Sequence, residues 1–386
     1  MPTVNSTTNL LDRAWRDVLA WLPADLDALA SSTGALQKRR AIRTGAQLLR
    51  IVFAYAVLDL SLRSTAAWAR AQGVAEMSDV AVLKRLTASA PFLEALLARL
   101  FTAHVRFPSA RALPWRVRLT DSTTVSHPGS TGADWRVHVG YDAERRCVDA
   151  VELTDGTGGE HLERIAPKAG DLLVADRGYA HADRILKVQK LGAHVLVRVG
   201  HRAVPMWTVG GEPFDPLAYA CRKRAKAGRP PRVEEAAVEL RGNEGKTCIA
   251  RLIIVRKSVE ATERERNRIR REASRKGKSP TTRTLRAAAF TFLLTTVPAK
   301  EASAAVLAEL YRVRWQIELA FKRWKSLLDL DELRARDPDL ARTYLLGKLV
   351  AAQLADIIAR TERDFSPWGV PLEGTAEPLA VVPLGL

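Results

Sequence analysis

Residues 171–199, DLLVADRGYAHADRILKVQKLGAHVLVRV, pass from strand to helix to strand in one short run. DLLVA is apolar after its first residue and leads into Asp176 and the polar turn Arg177-Gly178-Tyr179, which predicts a buried strand and its exit. HADRILKVQKLG has apolar residues at helical spacing and is closed by Gly192, a residue that tolerates the left-handed turn that ends helices. AHVLVRV returns to strand. Upstream, WRVRLTD (115–121) alternates, so Val117, Leu119 and Asp121 share one face of a strand that ends at Asp121. WRVHVGYD (135–142) and CVDAVELTD (147–155) follow as strands, HLERIAPK (161–168) as a short helix, and FTFLLTT (290–296) as a buried strand. Three antiparallel strands followed by alternating helices and strands predict an α/β layer, not a barrel.

The flanks differ in rhythm. Residues 9 to about 105 read as helical, with apolar positions at helical spacing in LLDRAWRDVLAWL, QLLRIVFAYAVLDL and FLEALLARLF. Within them, a helix over 65–71, a turn at Gly73 and a second helix capped by Ser78 or Asp79 form a helix-turn-helix pattern. Its second helix carries Lys84 and Arg85, either to read a major groove or as the basic rim of two packed helices. Residues 201–288 contain strands at VEEAAVEL and TCIARLIIVRK, then a run from Arg256 to Arg286 with 12 Lys or Arg against 4 Glu. Such excess charge resists burial and predicts a solvated loop or a phosphate-tracking arm that includes Arg268, Arg270 and Arg271. Residues 301 to about 363 are helical again, and from Ser366 four prolines predict a loose extension. The segments are therefore 1–110, helical; 111–200, α/β; 201–288, basic and strand-bearing; 289–363, a strand and closing helices; and 364–386, a tail.

Composition narrows the function classes. The chain has 386 residues, 47% of them apolar, enough for packed cores in two or three domains. Its formal charge of +17 suits a polyanionic partner, since neutralised phosphates release counterions. Cys147, Cys221 and Cys248 form no paired spacing, so neither a disulfide framework nor a zinc knuckle is indicated. The start of the chain lacks the pattern of a secretory leader, and its longest greasy stretch, 51–58, is too short to cross a bilayer. The expected location is the cytoplasm, on the nucleoid.

Asp121 and Asp176 each follow an apolar strand, where a carboxylate can share a cation or merely cap the next loop. The segment YRVRWQIELAFKRWK (311–325) adds the sharper signal. On one helix, Tyr311, Arg314, Glu318 and Lys325 fall in a stripe about 60° wide, beside a buried face of Val313, Ile317, Ala320, Trp324 and Leu327. The plain alternative is a surface stripe with an Arg314–Glu318 pair.

Tyr-x2-Arg-x3-Glu-x6-Lys, preceded by the Asp-Ser-Thr and Asp-Arg-Gly-Tyr blocks, resembles the DDE transposases of the insertion-sequence-4-like group. The gaps match as well, with 55 residues from Asp121 to Asp176 and 142 more to Glu318. The resemblance runs from about 115 to 330. It implies an RNase H-like core interrupted by a β-rich insertion, which residues 201–288 would form. It implies that Asp121, Asp176 and Glu318 hold two Mg²⁺ (or Mn²⁺) ions, which clamp the attacking and leaving oxygens of an in-line phosphoryl displacement. Water would cut the element end, and the freed 3′-OH would then attack target DNA. Arg314 and Lys325 would grip phosphates, Tyr311 would meet the terminal nucleotides, and Arg177 would touch DNA or form a salt bridge. The partners implied are double-stranded DNA, as inverted-repeat ends and target, and a second copy of the chain in a homodimer. The pattern departs at 287–298, AAAFTFLLTTVP, where relatives carry a Trp and this chain has Phe290 and Phe292. Rival readings are a non-catalytic DNA-binding regulator derived from such an element and a plain RNase H-like nuclease.

Overall fold

The computed structural model describes residues 15–16, 18–103, 113–222 and 232–363. The expected tail, 364–386, lies outside them. One eight-stranded sheet organises the chain: β1 (Arg116–Val125), β2 (Trp135–Asp142), β3 (Cys147–Asp155), β4 (Asp171–Ala175), β5 (His194–Val199), β6 (Val233–Arg241), β7 (Thr247–Arg256) and β8 (Phe290–Thr295). Their order is β3-β2-β1-β4-β5-β8-β7-β6. β1 to β3 are antiparallel, and β1, β4 and β5 run parallel, as in an RNase H-like core. β8 pairs antiparallel to β5, and β7 and β6 extend that edge.

The strands of the insertion therefore join the main sheet. Its basic run is neither a loop nor an extended arm. Two helices occupy it, Val259–Arg275 and Thr282–Ala287, the first capped by Ser258, whose side chain accepts from the Ala261 amide. The charge is accommodated because the longer helix exposes most of its length, and only Thr262 is buried.

Other helices, numbered in chain order, are α1 (Leu26–Ser32), α2 (Gly45–Ala56), α3 (Leu62–Ala71), α4 (Asp79–Thr87), α5 (Ala90–Ala103), α6 (Ala182–Lys190) and α7 (Pro216–Arg222). The basic pair is α8 and α9. Then come α10 (Ala304–Leu310), α11 (Trp315–Leu328) and α12 (Pro338–Arg363). Period-two alternation splits the strands between two cores. Val117, Leu119, Leu172, Val174 and Leu196 join the helices α1 to α5, α11 and α12 on one face. Leu173, Ala175, Val195 and Val197 pack on the other face with α6 and α7.

α12 binds the early helices to the late ones. A Cβ on Gly347 would lie 2.8 Å from Val52 Cγ1 and 2.9 Å from Ala56 Cβ, so only glycine lets α12 approach α2 this closely. Tyr344 donates to Asp59 Oδ1 at 3.0 Å, and Thr343 donates to the Leu86 carbonyl at 2.7 Å. The helix-turn-helix pattern is present as α3, Gly73 at φ +63° and α4 capped by Ser78, and Leu86 of α4 is buried.

On the opposite face of β1 from Asp121, Arg118 is buried and donates to Asp149 and to Asp171, which precedes the apolar part of β4. Arg116 reaches Asp171 at 2.9 Å. The two arginines of WRVRLTD thus serve as internal struts that tie β1, β3 and β4.

Candidate active site

Thr120 on β1 stands opposite Ala175 on β4 in a parallel pair, so Asp121 and Asp176, each one residue further on, lie side by side. Alternation gives Asp121 the face of Val117 and Leu119, and Asp176 that of Leu172 and Val174, the face on which α11 packs. Asp176 follows its strand as expected. Asp121 does not end its own, because residues 122–125 continue the antiparallel pairing with β2 as far as Val125–Trp135.

The third segment is interrupted. α10 tightens into a 3₁₀ turn over Tyr311–Arg314 before α11 begins at Trp315. Ile317, Ala320 and Trp324 are buried, as the stripe predicted, but Leu327 is 76% exposed and Phe321 is buried in its place. From Ile317, Phe321 and Trp324 turn within about 40° of the buried direction, whereas Leu327 falls about 80° away.

The polar stripe reaches both aspartates. The Tyr311 hydroxyl donates to Asp176 Oδ1 at 3.3 Å. Arg314 donates from Nη1 to Asp121 Oδ2 at 3.2 Å and from Nη2 to Glu318 Oε1. Arg198, on β5, pairs with Asp176 at 2.8 Å. Asp121 and Glu318 are therefore brought to one guanidinium, and among the described residues no three His, Cys, Asp or Glu side chains are close enough together to hold one ion. Lys325, half-buried and two turns beyond Glu318, has no part in these contacts.

The electrostatics are those of crowded acids. Burial pushes the Asp121 carboxyl up to about 6, with Asp176 and Glu160 adding to the rise, against the opposing pull of the Ser122 amide and Arg314. Burial and the Asp176 charge raise Tyr311, which stays a protonated donor. Carboxylate oxygens are the donors a hard divalent cation takes, and such a cation would relieve the opposition to the Asp121 charge.

Beside Asp176 opens a cavity of about 270 Å³, lined by Arg177, Arg198, Lys257, Arg268, Phe290 and Phe292. Burial, with Arg198, Arg268 and Arg177 nearby, lowers the Lys257 ammonium. Phe290 and Phe292, buried and 5.9 Å apart between ring centroids, belong to this wall. Arg268, Arg270 and Arg271 of α8 are all exposed; Arg268 is held between Glu265 and Glu272, whereas Arg270 and Arg271 bond to Asn267. In the N-terminal helices Lys84 is exposed, but the Arg85 guanidinium donates to the carbonyls of Ala35 and Lys38. Arg85 is thus tied in the free chain to the loop after α1.

Sequence reasoning missed two side chains. Glu160 accepts from Ser122 Oγ at 2.8 Å and from Arg136 at 3.1 Å, next to Asp121. Arg198 holds Asp176. Arg198 left a signal, as the one charge inside the apolar strand VLVRV. Glu160 left a weaker one, following the turn Gly158-Gly159 just before the 3₁₀ turn Leu162–Ile165.

A family model described as Transposase DDE domain matches residues 114–354, which takes in both aspartate strands, the insertion and α11. The chain belongs to this family. Two relatives are similar along nearly the whole length. The chain is 38% identical over 362 residues to the putative transposase InsL for insertion sequence element IS186A of Escherichia coli (strain K12), covering 92% of this chain and 96% of the relative. It is 38% identical over 363 residues to the transposase for insertion sequence element IS421 of Escherichia coli, with the same coverage. The transposase for IS231F of Bacillus thuringiensis subsp. israelensis is 23% identical over 267 residues, 61% of this chain and 55% of the relative. The family is insertion-sequence-4-like, as the Tyr-Arg-Glu-Lys signature implied.

Proposed function

We propose that this DDE transposase cleaves the ends of an insertion sequence and joins them to target DNA, with Asp121, Asp176 and Glu318 as the ligands of its divalent ions. The observation that carries this reading is Arg314, which spans Asp121 and Glu318 while Asp121 lies beside Asp176. Asp121 and Glu318, from distant segments, share one guanidinium, and Asp176 follows the strand beside that of Asp121.

Bound there, Mg²⁺ or Mn²⁺ would stabilise charge on the attacking and leaving oxygens of phosphoryl transfer. The chain's own groups do the rest. Arg314 has two sets of partners, the carboxylates in the free protein and a DNA phosphate in the complex, and its planar fork suits both. Tyr311, held protonated, orients Asp176 and leaves its ring for the terminal nucleotides. Lys325 supplies a second phosphate contact along the same helix. Arg177, Lys257, Phe290 and Phe292 give the cavity beside Asp176 both cationic and aromatic walls, suited to a nucleotide. Arg268 would join them on leaving Glu265 and Glu272, which also line the cavity. Exposed Arg270 and Arg271 face the wider duplex, as does Lys84.

At the scale of the chain, residues 1–110 recognise the element ends, 111–200 and 289–363 form the catalytic core, and 201–288 grip DNA. A homodimer brings two ends together, and the enzyme works in the cytoplasm on the nucleoid. No helix among the described residues is long and apolar enough to cross a membrane.

The test is Mg²⁺-dependent cleavage and joining of DNA that bears the element's ends. Wild type should yield both products, and Asp121→Ala and Glu318→Ala neither. Mutants that cut as well as wild type would remove these residues from the metal site, and cutting without joining would make the chain a plain nuclease.

A further inference from the structure

We propose that Glu160 is a positioning residue, a brace that holds the strand bearing Asp121 against the turn that follows Asp176. The inference rests on the metal-site reading for its consequence, but the brace itself stands on geometry alone.

Glu160 comes from the loop after β3, yet touches both acid-bearing segments. Its Oε1 accepts from Ser122 Oγ at 2.8 Å and from Arg136 Nη1 at 3.1 Å. Ser122 is also tied to the neighbouring acid, since its amide donates to Asp121 Oδ1 at 2.8 Å. On the far side, a Cβ built on Gly178 would overlap Glu160 Oε2. Gly178 belongs to the 3₁₀ turn Arg177–Tyr179, whose first bond runs from the Tyr179 amide to the Asp176 carbonyl at 3.1 Å. One carboxylate therefore runs from the residue after Asp121 to the backbone two residues after Asp176.

This explains a glycine that backbone conformation leaves unexplained. Gly178 does not occupy the left-handed region that demands glycine elsewhere in the chain. A Cβ at this position would push the Glu160 oxygen out of the space it fills. The Gly-Glu pair at 159–160 and the Asp-Arg-Gly block at 176–178 are thereby one device, although 16 residues separate Glu160 from Asp176. Groups that orient the ligands of an ion typically change its affinity about 10- to 100-fold when removed. Two aspartates on adjacent strands share an ion only if strand and turn keep their offset.

The experiment uses the full chain as Glu160→Ala, Glu160→Gln, Gly178→Ala and the Glu160→Ala/Gly178→Ala double variant. Two quantities are measured without DNA: amide hydrogen exchange over residues 176–180, and Mn²⁺ affinity by electron paramagnetic resonance. Glu160→Ala and Gly178→Ala should each speed exchange in the turn and weaken Mn²⁺ binding about tenfold or more. The double variant should be no worse than either single one, because both remove the same contact. Glu160→Gln, which keeps an acceptor for Ser122 and Arg136, should stay close to wild type.

Exchange and affinity unchanged in Glu160→Ala would overturn the brace, as would losses that multiply in the double variant. A Glu160→Gln variant as weak for Mn²⁺ as Glu160→Ala, with a quiet turn, would also overturn it, because the charge itself would then be acting. Should Gly178→Ala not fold, the Ala and Gln variants of Glu160 decide. Wild type that takes up no Mn²⁺ would sink the metal-site reading, while the exchange measurement would still judge the brace.

Discussion

Asp121 sits where burial and two neighbouring acids oppose its charge, and that has a measurable consequence. Its carboxyl titrates at about 6 in the folded chain, against 3.8 for the free side chain. The folded state thus binds the extra proton between those values, so ionising Asp121 costs stability as pH rises from about 4 to about 6. Asp121→Asn, which stays neutral, should melt higher than wild type at pH 7.5, with the gain vanishing below about pH 4. A gain that does not depend on pH would contradict the assignment. The same proton must leave before Asp121 can bind a cation, so Mn²⁺ affinity should fall as pH drops through about 6.

Arg314 answers the acids from the other side. It pairs with both Asp121 and Glu318, and its side chain is only 14% exposed. Removing one partner of such a group leaves the others uncompensated, at a cost of about 3–5 kcal/mol when fully buried and less here. Arg314→Ala should therefore lower the melting temperature in chelator. Added Ca²⁺ or Mn²⁺ should restore it by more than it raises wild type, because the ion takes over the neutralising role. Equal cation responses in the two proteins would refute that exchange of partners.

At the scale of elements, α12 and α8 make opposite use of their surfaces. α12 approaches α2 through Gly347, where a Cβ would stand 2.8 Å from Val52. Gly347→Ala overpacks a helix–helix contact, for which about 1–3 kcal/mol is expected, and chemical denaturation would measure it. α8 keeps nearly all its polar length in solvent. Its exposed Arg270 and Arg271 should contribute to DNA affinity more than Arg268, which two glutamates already neutralise. Charge reversal at each position, followed by DNA titration, would rank them. A larger loss at Arg268 would show that it leaves its glutamates on binding.

For the whole molecule, a formal charge of +17 makes DNA binding an electrostatic event. Affinity should drop steeply with salt, as each neutralised phosphate adds to the slope of log K against log salt. A flat response would take α8 out of the interface. The helices before β1 share one core with α11, α12 and a face of the sheet. Helical circular dichroism and Trp fluorescence should therefore report a single unfolding transition.

Much of this was legible before any fold was seen. The alternation of WRVRLTD, the apolar run into Asp176, the helix closed by Gly192 and the stripe through Arg314 and Glu318 are local patterns. Each depends on neighbours within a turn or a strand, so the sequence alone determined the α/β class, while the resemblance of its motifs pointed to the family and to the three acids proposed as metal ligands. Only the tertiary structure decided what distant segments do to one another. β2 carries β1 beyond Asp121, the insertion strands join the main sheet, and Arg85 is spent on carbonyls some 50 residues away. Glu160 and Arg198 entered the site the same way, one from a loop and one from a neighbouring strand. Their roles are set by which strands lie next to one another and which side chains neutralise a shared charge, and no periodicity within a single segment records either.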